Sequence, residues 1–195
     1  MVSLNAQKLL HHRRMLIGYF LFYTHHTILS EVYLGHIMDN ELIEIAEITG
    51  QRLKSKGLTL ATAESCTGGW ISQVITEIAG SSAWFDRGYI TYSNTAKTEM
   101  LGVTTKTLDA YGAVSAQTAE EMVNGALTKS TADCAIAVTG IAGPDGGTPE
   151  KPVGTVFIAW AYRNQASIVI KKHFNGSRHE IRLQTVKAAL QGLNV

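Results

Sequence analysis

Three times along this chain an apolar run breaks off in small polar residues, twice before helix-forming sequence and once before a long glycine-rich loop, and this recurrence limits the fold more than any other feature. The first run, 58–63, alternates and leads into Glu64-Ser65-Cys66-Thr67-Gly68-Gly69, after which Trp70, Ile71, Val74, Ile75 and Ile78 fall at helical spacing. The second, Tyr89-Ile90-Thr91-Tyr92, is aromatic and β-branched, passes through Ser93-Asn94 and enters a short helix carrying Lys97. The third, Cys134-Ala135-Ile136-Ala137-Val138, has the look of a fully buried strand and opens into Thr139-Gly140-Ile141-Ala142-Gly143-Pro144-Asp145-Gly146-Gly147. Strands interleaved with helices build a sheet covered on both faces, and polar strand ends of this kind open on one crevice.

The remaining segments complete that architecture. Asp39 or Asn40 caps a helix with Leu42, Ile45, Ala46 and Leu53 on one face, closed by Lys54, Lys56 and Gly57. Strand one is expected at 58–63, a helix at 68–79, strand two at 87–93, a short helix at 94–100 and strand three at 133–139. Ser115 caps a helix whose stripe is Ala116, Ala119, Met122, Val123, Ala126 and Leu127. Segments 153–162 and 166–174 are joined by Arg163-Asn164-Gln165, hairpin length, and so are antiparallel. Ser177-Arg178-His179-Glu180 is a capping box for a last helix with Leu183, Val186, Leu190 and Leu193 inward. The expectation is a single three-layer αβα domain of the α/β class, with a mixed sheet of about five strands including one antiparallel hairpin.

Composition narrows the function. A chain of 195 residues, 45% hydrophobic, can bury one sizeable core. A net charge of +1 and no dense Lys/Arg patch argue against a nucleic-acid partner. Cys66 and Cys134 lack C-x-x-C or Cys/His ligand spacing, so a reduced, metal-free, cofactor-free cytoplasmic protein is expected. Residues 1–38 differ in composition, with three basic residues, one acidic residue and five of the seven histidines. Their apolar run Met15–Tyr23 follows a basic flank but is too short to span a bilayer and precedes no small-x-small cleavage site. No membrane partner is expected. The His11-His12 and His25-His26 pairs lack carboxylate or thiolate partners for a metal.

Hydrolytic chemistry needs a nucleophile, an oxyanion site and a proton donor for the leaving group. Ser65, on the strand-to-helix turn, is the candidate nucleophile, and the backbone N–H groups of Cys66, Thr67 and Gly68 face the same point. The plainer alternative makes Ser65 or Thr67 a helix N-cap and the glycines packing residues. Lys97 is the candidate base, provided that burial lowers its basicity. Tyr92 either relays a proton, orients the lysine or is a surface aromatic. Cys66 is a rival nucleophile, and Glu64 either orients the turn or is a solvated carboxylate. Thr139 and Gly140 end strand three beside a glycine-rich loop suited to a phosphate or amide, and Arg178 can add a bidentate phosphate contact.

Taken in order, A-E-S-C-T-G-G, Y-S-N-x-x-K and T-G-I-A-G-P-D-G-G resemble the CinA C-terminal domain family over about Asp39 to Leu193. The resemblance implies a domain spanning 39–195, with 1–38 a poorly ordered non-family extension that an upstream start would explain. Stand-alone members of that family deamidate nicotinamide mononucleotide. The resemblance therefore implies an amidase acting on a small nucleotide, with Ser65, Lys97 and Tyr92 catalytic and Cys66, Thr67, Gly68, Thr139, Gly140 and Arg178 holding substrate. It also implies assembly as a homo-oligomer, expected as a dimer. The competing expectation is a non-catalytic nucleotide- or partner-binding module linked to competence or DNA damage.

Overall fold

The computed structural model describes residues 40–193. In chain order, helix α1 (residues 40–56) is followed by β1 (Leu60–Glu64), α2 (Trp70–Thr76), a 3-10 turn (Ser81–Ala83) and β2 (Phe85–Ile90). Then come α3 (Asn94–Leu101), α4 (Thr105–Tyr111), α5 (Ala116–Thr128), β3 (Cys134–Gly140), β4 (Thr155–Tyr162), β5 (Ile168–His173) and α6 (Arg178–Gln191). The strands form one five-stranded mixed sheet in the order β2-β1-β3-β4-β5. β1 lies parallel to β2 and β3, whereas β4 runs antiparallel to β3 and β5 antiparallel to β4.

Residue size differs between the two faces of this sheet. Ala61, Ala63, Ala135, Ala137, Ala159 and Ala161 all belong to the buried cluster formed with Ala119, Met122, Val123 and Ala126 of α5. Alternate positions carry side chains to opposite faces, so a face of alanines lets α5 approach closely. Ile136, Ile158 and Trp160 occupy the other face, where the Trp160 indole N–H donates to Ala189 O of α6 at 2.8 Å. Gly125 is required where α5 crosses α3, because a Cβ there would collide with the Leu101 carbonyl.

The expected α/β architecture and hairpin are present. Strand two is the main shift: it stops at Ile90 although Thr91 and Tyr92 continue the β-type sequence. Its partner β1 ends at Glu64, and Thr91 N–H donates the last bond, to Glu64 O at 2.8 Å. Helix α4 was not anticipated; its signals are Thr104, whose side chain caps Thr107 N, and Gly112 just beyond the end. The expected Asp39 cap and the 1–38 extension lie outside the described residues. So do both histidine pairs.

Candidate active site

The glycines of the first motif have a conformational reason. Gly68 and Gly69 are both left-handed, at φ 64° and 98°, which side chains disfavour. Two such residues in succession fold the chain back so that the start of α2 points at Glu64. The Glu64 carboxylate is fully buried and accepts five hydrogen bonds. One oxygen takes Thr67 Oγ1 at 2.7 Å and the Gly69 and Ile71 amides at 3.0 Å each. The other takes the Ser72 amide at 2.9 Å and Ser72 Oγ at 2.8 Å. The two plainer readings of this turn are thereby corrected. Glu64 is not a solvated carboxylate, and neither Ser65 nor Thr67 caps α2; the N-cap position is Gly69, with Glu64 supplying the acceptor. A helix N-terminus attracts an anion through its unpaired amides and dipole, and here the anion is the protein's own. Gly69, Ile71 and Ser72 amides are thus withdrawn from any substrate.

Ser65 stands one residue beyond this anchor. Its amide donates to Val138 O at 3.0 Å, and the Gly68 amide donates to Ser65 O at 3.1 Å, closing the turn. Gly68 N–H is therefore committed within the turn, contrary to the expectation that it is free for substrate. Arg182 of α6 holds the turn from outside, with Nε on Cys66 O at 3.2 Å and Nη2 on Thr67 O at 2.7 Å, and its guanidinium lies 5.1 Å from the Trp70 ring centroid. Sequence reading missed Arg182, although it lies four residues, one helical turn, after Arg178.

Lys97 reaches the turn from α3. Ser93 starts that helix by accepting from Ala96 N at 3.0 Å, and the Lys97 side chain is only 1% exposed. Its Nζ is 2.9 Å from Ser65 Oγ and donates to Thr91 O at 2.8 Å. Burial lowers the Lys97 pKa, and neighbouring Cys66 opposes that shift. Cys66 is itself buried, which pushes its thiol up to about 12, with the Glu64 charge adding in the same sense. A thiol so placed stays protonated near neutrality and is a poor rival to Ser65.

Ser65, Cys66, Tyr92, Lys97, Thr139, Gly140 and Arg178 line one cavity of about 190 Å³, together with Ala113, Val114 and Ala142. The last three were not anticipated; they are apolar and carry no chemical signature in sequence. Thr139 is buried, and its hydroxyl donates to Ala113 O at 2.7 Å, leaving the oxygen free only to accept. Tyr92, 61% exposed, does not bond Lys97: its hydroxyl accepts from Arg178 Nη2 at 2.9 Å. Arg178 Nη1 donates to Gly143 O at 2.8 Å, so this guanidinium ties the glycine-rich loop to the rim. Both cysteines are free, and no group of three His, Cys, Asp or Glu placed to hold a metal occurs among the described residues. No helix among them is long and apolar enough to cross a membrane.

Comparison with known proteins gives a consistent picture. The chain is 53% identical over 155 residues to the nicotinamide-nucleotide amidohydrolase PncC of Escherichia coli K12, covering 80% of this chain and 94% of that protein. It is 49% identical to the protein of the same name from Pseudomonas putida, over 76% of this chain and 92% of that one. Among solved structures, the competence/damage inducible protein CihA of Agrobacterium tumefaciens superimposes with a TM-score of 0.76 at 52% identity, covering 78% of this chain and 93% of that chain. The family profile described as CinA C-terminal domain matches residues 42–195, and the chain belongs to that family.

Proposed function

We propose that this protein is a nicotinamide-nucleotide amidohydrolase, converting nicotinamide mononucleotide and water to nicotinate mononucleotide and ammonia in pyridine nucleotide salvage. The catalytic unit in this reading is 39–195. The observation that carries the mechanism is the buried 2.9 Å contact between Lys97 Nζ and Ser65 Oγ. A neutral amine there keeps its donor bond to Thr91 O and turns its lone pair to the serine proton. Ser65 Oγ attacks the carboxamide carbon as Lys97 takes the proton, and negative charge develops on the carbonyl oxygen. The N–H group of Cys66, a residue that lines the cavity and that Glu64 does not engage, is assigned to that oxyanion; Thr67, expected to hold substrate, is fully buried and does not line the cavity. Thr139 Oγ1 accepts from the carboxamide nitrogen, and Lys97 returns the proton as ammonia departs. A water, deprotonated by the same lysine, then cleaves the acyl-serine ester and restores Ser65. Arg178, with N–H groups beyond the two already engaged, serves the substrate phosphate, and the Tyr92 hydroxyl retains its own proton to donate at the rim.

The test is to incubate purified protein with nicotinamide mononucleotide and assay ammonia and nicotinate mononucleotide. Equimolar release of both, absent in Ser65→Ala, supports the reading. Tight binding of the nucleotide without release would favour a non-catalytic module instead.

A further inference from the structure

We propose that Glu64 is a positioning residue for the nucleophile: its buried carboxylate sets the direction of the Ser65 side chain by holding the turn that carries it. This rests on the reading of Ser65 as nucleophile. Two independent features of the geometry point the same way. The five donors to Glu64 come from Thr67, Gly69, Ile71 and Ser72, on the far side of the turn from Ser65, so the carboxylate closes a loop of chain whose near end is the nucleophile. The surroundings are also built around that carboxylate. Ser72 Oγ lies 2.8 Å from Thr62 Oγ1, and Gly88 of β2 leaves room for the pair, since a Cβ there would strike Ser72 Oγ.

Three of these donors are backbone amides and cannot reverse, so an acceptor-only group is required on both oxygens. Glutamine has the shape but turns an N–H₂ toward one set of amides, leaving at least one buried donor unpaired. Mere helix capping would show its loss as lower stability at unchanged turnover. Positioning predicts a chemical defect in a folded protein, because a nucleophile displaced by about 1 Å loses about 100-fold in rate.

The experiment compares wild type with Glu64→Gln and Ser72→Ala well below their melting temperatures, with folding checked by near-UV circular dichroism. Two rates are read: turnover of nicotinamide mononucleotide, and phosphonylation of Ser65 by a fluorophosphonate probe, which tests the serine whatever its natural substrate. We expect Glu64→Gln to lose about 100-fold in kcat and in probe rate, with KM changed less than about threefold. Ser72→Ala, which removes one donor, should lose less in the same two rates. If Glu64→Gln does not fold, Ser72→Ala decides. The idea is overturned if the folded variants match wild type in kcat and probe rate and lose only stability, if the defect lies in KM alone, or if wild-type Ser65 resists the probe.

Discussion

Two cations face the same cavity under opposite conditions. Lys97 is buried, its pKa is lowered, and it bonds a serine hydroxyl and a backbone carbonyl. Arg178 sits at the rim and bonds a carbonyl and an exposed tyrosine through the planar fork of its guanidinium. In the proposed mechanism desolvation fits the first to accept a proton, and a planar fork of N–H donors fits the second to anchor an anion. A positive charge is thus a different reagent depending on how much water it keeps.

The largest test of this contrast exchanges the chemistry of the buried site. Lys97→Arg keeps a cation but cannot accept the serine proton, and kcat should fall about 10³-fold, measured at saturating nucleotide. Retained turnover would make Lys97 a second Arg178 and remove it as base.

The pH profile sharpens the same point. In the proposed mechanism the lysine works only when neutral, so kcat should fall about tenfold per pH unit on the acid side of a midpoint below the ordinary lysine value of about 10.4. Stability shares this sign: between the lowered and the ordinary value the unfolded chain holds more protons than the folded one. The free energy of unfolding therefore rises with pH across that window, measurable by denaturant titration at several pH values. A midpoint at or above the free-lysine value would break the comparison.

For Arg178→Ala the expected effect is on binding, with KM for the nucleotide raised about 30-fold and kcat changed much less. Free nicotinamide, lacking phosphate, should be hydrolysed equally by variant and wild type. A loss shared by both substrates would place Arg178 in the chemistry. The smallest effect is assigned to Tyr92→Phe: this exposed contact to Arg178 contributes about 1 kcal/mol, so KM should rise two- to fivefold. A loss of 100-fold in kcat would restore Tyr92 as a proton relay.

Much of the molecule is legible in the chain alone. Periodicity marks the strands and most helices, the three polar strand ends mark the crevice, and the ordered motifs mark the family, because these are properties of neighbouring residues. Ser65 and Lys97 are both identifiable as reactive types, yet nothing in their separation along the chain states that Nζ meets Oγ; parallel pairing of β1 with β2 brings the turns together. Glu64 shows the limit most clearly. Locally it is a charged residue beside a turn, which belongs in water, and only the left-handed fold of Gly68 and Gly69 delivers five donors that let it be buried. Arg182 and the wall of Ala113 and Val114 likewise come from segments remote in sequence. What the sequence by itself determined is the element order apart from α4, the family and the reactive residue types, since periodicity, turn chemistry and side-chain inventory act over a few residues. Only the tertiary structure decided which charges are dry, which amides are already taken and which hydroxyls are left to accept, because desolvation and hydrogen-bond partnership depend on what the rest of the chain places alongside.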